Sequence, residues 1–125
     1  MRNSVFYSLA ASYAEEVGAD YIVGGHNRED TEVFPDTTPA FFRTFQKAIW
    51  EGSRRLRERR TTILRPLQFK SKSEVVSLGA SLGVPLEHTW SCHREGRRHC
   101  WECEGCRRRL KAFSAAGIAD PLRRA

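Results

Sequence analysis

The chain has 125 residues, with 21 Lys+Arg against 15 Asp+Glu for a formal charge of +6, and is 40% apolar and 29% charged. That length suits one domain burying about two-thirds of its unfolded surface, so disulfides are not required for folding. No apolar run approaches the roughly 18 residues of a membrane-spanning helix. The opening MRNSVFYSLAASYAEE meets charge too early for a secretory signal, so a cytoplasmic location with reduced thiols is expected. The basic excess lies in RRLRERR (Arg54–Arg60), Arg107–Arg109 and the C-terminus. It reads as a solvated surface, compatible with nucleic acid, nucleotide phosphates or an acidic partner.

In chain order, Asn3 or Ser4 is expected to cap a first helix. Its apolar residues Phe6, Leu9, Ala10, Tyr13, Ala14 and Val17 follow the i, i+3, i+4, i+7 spacing of a buried stripe. Gly18 stops it. DYIVGG (20–25) is too short for a helix and reads as a strand, and HNREDTEVFPD (26–36) as a loop. Thr38-Pro39 starts a second helix, with a hydroxyl cap and proline at the first helical position. That helix is expected to bury Phe41 or Phe42, Phe45, Ala48 and Ile49. TTILRPL (61–67) is a second strand. SKSE (71–74) is a capping box ahead of Val75, Leu78 and Leu82, and Gly83 and Pro85 close this third helix. Cys106, Leu110 and Phe113 share a face of a last helix ending near Gly117.

Strands alternating with helices predict an α/β layer with a parallel sheet. Residues 1–88 are expected to form that layer and residues 89–125 a cysteine loop with the last helix, within one globular unit. Two strands make a thin sheet, which normally has further neighbours supplied by additional chain.

All four cysteines fall in CHREGRRHCWECEGC (92–106), with spacing C-x7-C-x2-C-x2-C. A C-x2-C turn lets two thiolates reach one tetrahedral ion, making Cys92, Cys100, Cys103 and Cys106 a candidate metal set. The start of the last helix favours the anionic form of Cys103 and Cys106, and Arg94, Arg97, Arg98 and Arg107 offset the charge. Structural zinc is the favoured reading, since four thiolates leave no open coordination position. An iron–sulfur cluster and a redox dithiol are the alternatives. His93 and His99 read as plain loop residues, and Trp50, Trp90 and Trp101 as packing residues.

TWSCHREGRRHCWECEGCRRRLKAFSAAGIADP (89–121) closely resembles the C-terminal segment of the 7-cyano-7-deazaguanine synthase family, also called QueC or ExsB-like. The likeness extends to RNSVFYSLAASYAEEVGADYIVGGHN (2–27), FPD (34–36) with PAFFRTFQKA (39–48), and PLQFKSKSEVVSLGASLGVPLEHTWSC (66–92). The resemblance implies a partial Rossmann-like fold of the PP-loop ATP pyrophosphatase superfamily. It implies an ATP-dependent carbon–nitrogen ligase acting on 7-carboxy-7-deazaguanine and ammonia, with ATP and Mg2+ as co-substrate and one structural Zn2+ per chain. The product would be the nitrile precursor of the modified tRNA bases queuosine and archaeosine. Direct nucleic-acid or membrane binding is not expected on this reading.

By match to the family, Arg2, Asn3, Gly24, Gly25, Asn27, Asp30, Asp36 and Lys72 are candidates to bind substrate or nucleotide. Asp36 would read the guanine-like edge, because a carboxylate accepts from both N1–H and a 2-amino group. Lys72 would reach phosphate. The family's phosphate loop, of Ser-Gly-Gly-x-Asp-Ser type, has no counterpart here, so either a second chain supplies it or the reading frame is a fragment; the expected partner is a chain carrying that loop, or else the protein is a homo-oligomer. Thr37-Thr38 stands where family members commonly carry a cysteine and an arginine, and His26 need not match the typical family residue. Two other classes compete: a non-catalytic zinc module binding RNA or protein, and a PP-loop enzyme acting directly on tRNA.

Overall fold

Two three-residue strands carry the parallel pairing that the alternation of elements implies. In the computed structural model, which describes residues 1–123, β1 (Tyr21–Val23) lies parallel to β2 (Thr62–Leu64), with Ile22 opposite Ile63. The chain forms two compact units, Met1–Phe69 and Lys70 onward.

In the first unit, α1 (Arg2–Val17) leads into β1. It ends at Gly18, whose φ of 67° is the left-handed conformation that glycine adopts at low cost. Neither Asn3 nor Ser4 caps α1 through its side chain. Met1 is the N-cap, and the orphan N–H of Asn3 instead donates to Asp36 Oδ2 from 33 residues away, at 3.0 Å. The stretch expected as a loop contains α2 (Arg28–Val33). It forms because Asn27 and Asp30 make a capping box, each side chain accepting the other's backbone N–H at 3.2 Å. A single 3-10 turn over Pro35–Thr37 then leads into α3 (Pro39–Gly52), capped by Thr38 as expected. The charge run Arg54–Arg59 is α4, nucleated by the Ser53 cap and anchored by buried Leu56.

The core of this unit gathers Tyr7, Ala11 and Ala14 of α1, Phe42 and Ile49 of α3, Leu56 of α4, and the register partners Ile22 and Ile63. All are on one face of the sheet. Phe42 is the centre, 1% exposed and met edge-on by Tyr7 at 4.8 Å between ring centroids. Of the expected α1 stripe, Ala14 is buried and Ala10 packs against the core, but the bulky members are not buried. Phe6, Leu9, Tyr13 and Val17 are 61%, 66%, 70% and 54% exposed. Small Ala11 and Ala14 let the helix approach the strand closely, so the opposite choice would hold the helix off on bulky side chains. On α3, Ala48 is exposed and Phe41 and Phe45 only partly buried. Gln46 and Trp50 instead turn inward and donate to the Thr61 carbonyl at 2.9 and 2.8 Å.

In the second unit, α5 (Lys72–Ser81) begins at the expected capping box of Ser71 and Glu74 and packs along α6 (Glu104–Ala116). Leu82, expected on its buried face, is exposed. The unit is tied by Arg109, a residue no apolar pattern marks. Its guanidinium is bidentate to Asp120, at 2.6 and 2.7 Å, and donates to Thr89 Oγ1 at 2.7 Å, with both charged side chains 4% exposed. It also lies over the Phe113 ring at 4.6 Å. Burial opposes ionisation of Asp120, but the Arg109 bonds outweigh it and hold that carboxyl below its ordinary range.

Removing one partner of such a pair strands a buried charge, at a cost of about 3–5 kcal/mol. Arg109→Met is therefore expected to lower urea stability by about that amount. Because the folded Asp120 pKa is depressed, its stabilisation is present above the unfolded value near 4 and is lost as pH falls through the folded one. Acid titration of wild type but not Arg109→Met should show that loss; coincident curves would refute the assignment.

Candidate functional site

The cysteine loop closes on itself. The Cys92, Cys100, Cys103 and Cys106 sulfurs all lie within 4.8 Å of one another, and the Cys100–Cys106 and Cys103–Cys92 distances are each 3.9 Å. Tetrahedral thiolates bonded at about 2.3 Å stand about 3.8 Å apart, so the four sulfurs fit a metal ion. Backbone N–H groups converge on them. His93 N–H points at Cys103 at 3.4 Å, Arg94 N–H at Cys92 at 3.4 Å, and Cys103 N–H at Cys100 at 3.3 Å. These donors favour thiolate, and the His93 N–H, followed by that of Cys106, pulls the Cys103 thiol down to about 6. Burial pushes the fully enclosed Cys106 up to about 12. A cation at the centre would deprotonate both.

Local sequence builds this cup. Cys103 is the N-cap of α6, so the helix start faces the cluster. Gly105 sits where a β-carbon would overlap the Ser91 carbonyl and crowd the His93 ring. Trp101 adopts φ 61°, a conformation a bulky residue accepts only when its surroundings over-determine it. His99 is not a plain loop residue. It is 7% exposed, packed between Trp90 and Trp101, and its Nε2 accepts the Ser91 N–H at 3.0 Å. Its two tryptophan neighbours in the loop sequence were the available signal.

The first unit holds a second candidate region, at the carboxyl end of β1. Arg2, Asn3, Asp30 and Asp36, four of the eight residues expected to bind ligand, line one cavity of about 390 Å³ together with Phe6, His26 and Phe34. Asp36 Oδ2 accepts from Asn3 N–H and lies 3.5 Å from the Met1 ammonium. The Asn3 N–H is the main reason its carboxyl is held below the ordinary range. Burial holds His26 below its usual value, against the raising effect of Asp30 and Asp36, so its imidazole is neutral at pH 7.

The other candidates have different surroundings. Gly25 is exposed, with open space where a β-carbon would stand. Gly24 is buried, and a β-carbon there would collide with the Tyr7 hydroxyl, so its lack of a side chain serves packing. Asn27 is buried as the α2 cap. Lys72 opens α5 in the second unit. A residue that sequence reasoning missed is Arg65, directly after β2. Its guanidinium covers the Phe42 ring at 4.7 Å, and its buried Nε and Nη1 find no hydrogen-bond partner among the described residues. An arginine between a strand and a proline was the signal.

The family model of "Queuosine biosynthesis protein QueC" matches residues 1–117. The chain is 41% identical over 121 residues to the 7-cyano-7-deazaguanine synthase of Thermoplasma acidophilum, covering 97% of this chain and 51% of that one. The protein of the same name from Chlorobium luteolum is 41% identical, covering 97% and 52%. That from Nitratiruptor is 43% identical, covering 97% and 54%. The chain thus spans about half the length of the curated relatives it matches.

Gly105→Ala is expected to spread the sulfurs and abolish stoichiometric metal binding, as read by elemental analysis and by the thiolate charge-transfer bands of a Co2+-loaded sample. Full metal content in that variant would contradict the geometry. Cys106→Ser, which removes the most enclosed ligand, should lose metal to a chelator at least tenfold faster than wild type.

Proposed function

This chain belongs to the queuosine biosynthesis protein QueC family, and from that membership we propose that it serves 7-cyano-7-deazaguanine synthesis as the half that bears the substrate pocket and a structural zinc. ATP would adenylate the carboxylate of 7-carboxy-7-deazaguanine, releasing pyrophosphate. Ammonia would then displace AMP to leave an amide, and a second ATP-dependent activation would remove the elements of water to give the nitrile. A carboxylate oxygen is a poor leaving group until it carries AMP, so no side chain need act as nucleophile. Positioning and charge neutralisation are what the protein must supply.

The observation that supports the reading best is the convergence of Arg2, Asn3, Asp30 and Asp36 on one cavity at a strand's carboxyl end, where open α/β sheets bind ligands. Asp36 would accept from the N1–H and 2-amino edge of the base, with neutral His26 and Phe6 and Phe34 flanking the ring. Arg65, whose guanidinium has no carboxylate partner among the described residues, would balance negative charge developing nearby. Four thiolates would hold Zn2+ with no open position, so the metal would act as a staple. The sequence contains no Ser-Gly-Gly-x-Asp-Ser loop, so pyrophosphate would be gripped by a phosphate-loop half outside these residues.

One observation favours a competing reading, a zinc-bearing RNA-binding module. Trp90, Trp101, Arg97 and Arg98 line a cavity of about 670 Å³ in the second unit, combining aromatic faces with cations. Salt-sensitive RNA affinity without ATP dependence would select that reading.

The test is AMP release from ATP-Mg2+, ammonium and 7-carboxy-7-deazaguanine, with and without a phosphate-loop half from a relative. Turnover is expected only with that half present. Asp36→Ala should reduce kcat/KM about 10- to 100-fold, the worth of a charged hydrogen bond of about 1.5–3 kcal/mol. No AMP under any combination, or an Asp36→Ala protein as fast as wild type, would sink the proposal.

A further inference from the structure

The cysteine loop does more than gather sulfurs, because it also holds an aromatic platform open to solvent. Trp90 is 51% exposed, yet its indole N–H is already satisfied, donating to the Cys92 carbonyl at 2.9 Å. His99 packs between Trp90 and Trp101, at 4.3 and 5.1 Å between ring centroids. Trp101 is held at φ 61°, a strained conformation of the kind that collects at ligand clamps and active sites. Both indoles line the second unit's cavity of about 670 Å³, a size within the range of small-ligand sites. A tryptophan whose polar tip is tied down while its ring stays open is preorganised for stacking.

Charge selects the ligand. Arg94 pairs with Glu102, Arg107 and Arg108 with Glu104, and Arg109 with Asp120. Arg97 and Arg98 line the cavity, exposed and with no carboxylate partner among the described residues. Glu87, on the same cavity, likewise meets no cation among them. Indole faces stack on bases, guanidinium forks bind phosphate oxygens, and a carboxylate accepts from ribose hydroxyls. We infer that this cavity is a binding site for a free nucleoside phosphate, its base against the Trp90 and Trp101 rings and its phosphates on Arg97 and Arg98, with Glu87 taking the ribose. Two unpaired guanidiniums match the charge of one or two phosphates. Single-stranded RNA is tracked by a longer cationic groove with successive stacking platforms, whereas here the neighbouring arginines are already neutralised. Nothing in this site depends on the proposed reaction, whose cavity belongs to the first unit.

Equilibrium dialysis of the metal-loaded full chain against radiolabelled AMP and ATP tests this. Saturable binding is expected, with adenosine and inorganic pyrophosphate each competing at least tenfold less effectively than ATP. Trp90→Leu and the double variant Arg97→Gln/Arg98→Gln should each weaken binding at least tenfold. Arg55→Gln, which removes an exposed positive charge from α4, should leave it unchanged. Metal content at the wild-type level in every variant shows that the second unit is folded. The absence of saturable binding, either cavity variant binding as tightly as wild type, or pyrophosphate competing as well as ATP would each overturn the inference. So would an oligoadenylate strand that binds far more tightly than AMP, an outcome that selects the RNA-binding reading instead.

Discussion

The placement of Tyr7 against Gly24 is the contact on which the first unit depends. The hydroxyl reaches the glycine so closely that any side chain there would collide with it, which brings the start of α1 over the carboxyl end of β1. Phe42 closes on the same ring edge-on, and His26 lies 5.8 Å from it between centroids. Rotation of the helix about its axis is then settled. Ala11 and Ala14 turn toward the sheet, and Phe6, Leu9 and Tyr13 turn away. The same rotation aims the half-buried Asn3 N–H at Asp36, so the helix start, the Asp36 turn and the strand end surround one cavity. A packing contact thus positions the polar groups that a ligand would meet.

The second unit is organised around charges. Four thiols share a cup lined by backbone N–H groups, with Cys103 and Cys106 shifted in opposite directions. A few residues away, Arg109 and Asp120 are withdrawn from solvent, with Thr89 taking a further guanidinium donor. Neither arrangement depends on much apolar area, and α5 contributes no fully buried residue. A unit with so little core has, in place of extensive hydrophobic packing, four cysteines close enough to hold a metal ion and a satisfied buried ion pair.

Legibility in the sequence followed the strength of local signals. The caps at Thr38 and Ser71 were readable because hydroxyl, proline and glutamate stand at fixed offsets, and both helices start there. The four cysteines were readable because C-x2-C spacing is itself a geometric statement. Helix α2 was missed because its cap pairs Asn27 with an aspartate where the familiar box has a glutamate, amid a polar stretch with no periodic apolar residue. Helix α4 was hidden by its arginines, since one buried leucine makes no stripe. The Arg109–Asp120 pair and the Asn3–Asp36 cap join residues 11 and 33 positions apart, and nothing local announces either.

The inverted stripe of α1 has a different origin. Periodicity reports that a helix has an apolar face without saying which neighbour covers it, and bulk steers the reader toward Phe6, Leu9 and Tyr13. Close approach to a strand, however, favours the small side chains, so the alanine stripe meets β1 and the bulky stripe is left outside. The sequence therefore places two apolar stripes on one helix, one buried and one exposed. The buried one needs small residues because Tyr7 already draws the helix down onto Gly24. What looks like a failure of amphipathic reading is a helix whose second apolar face is specified as carefully as its first.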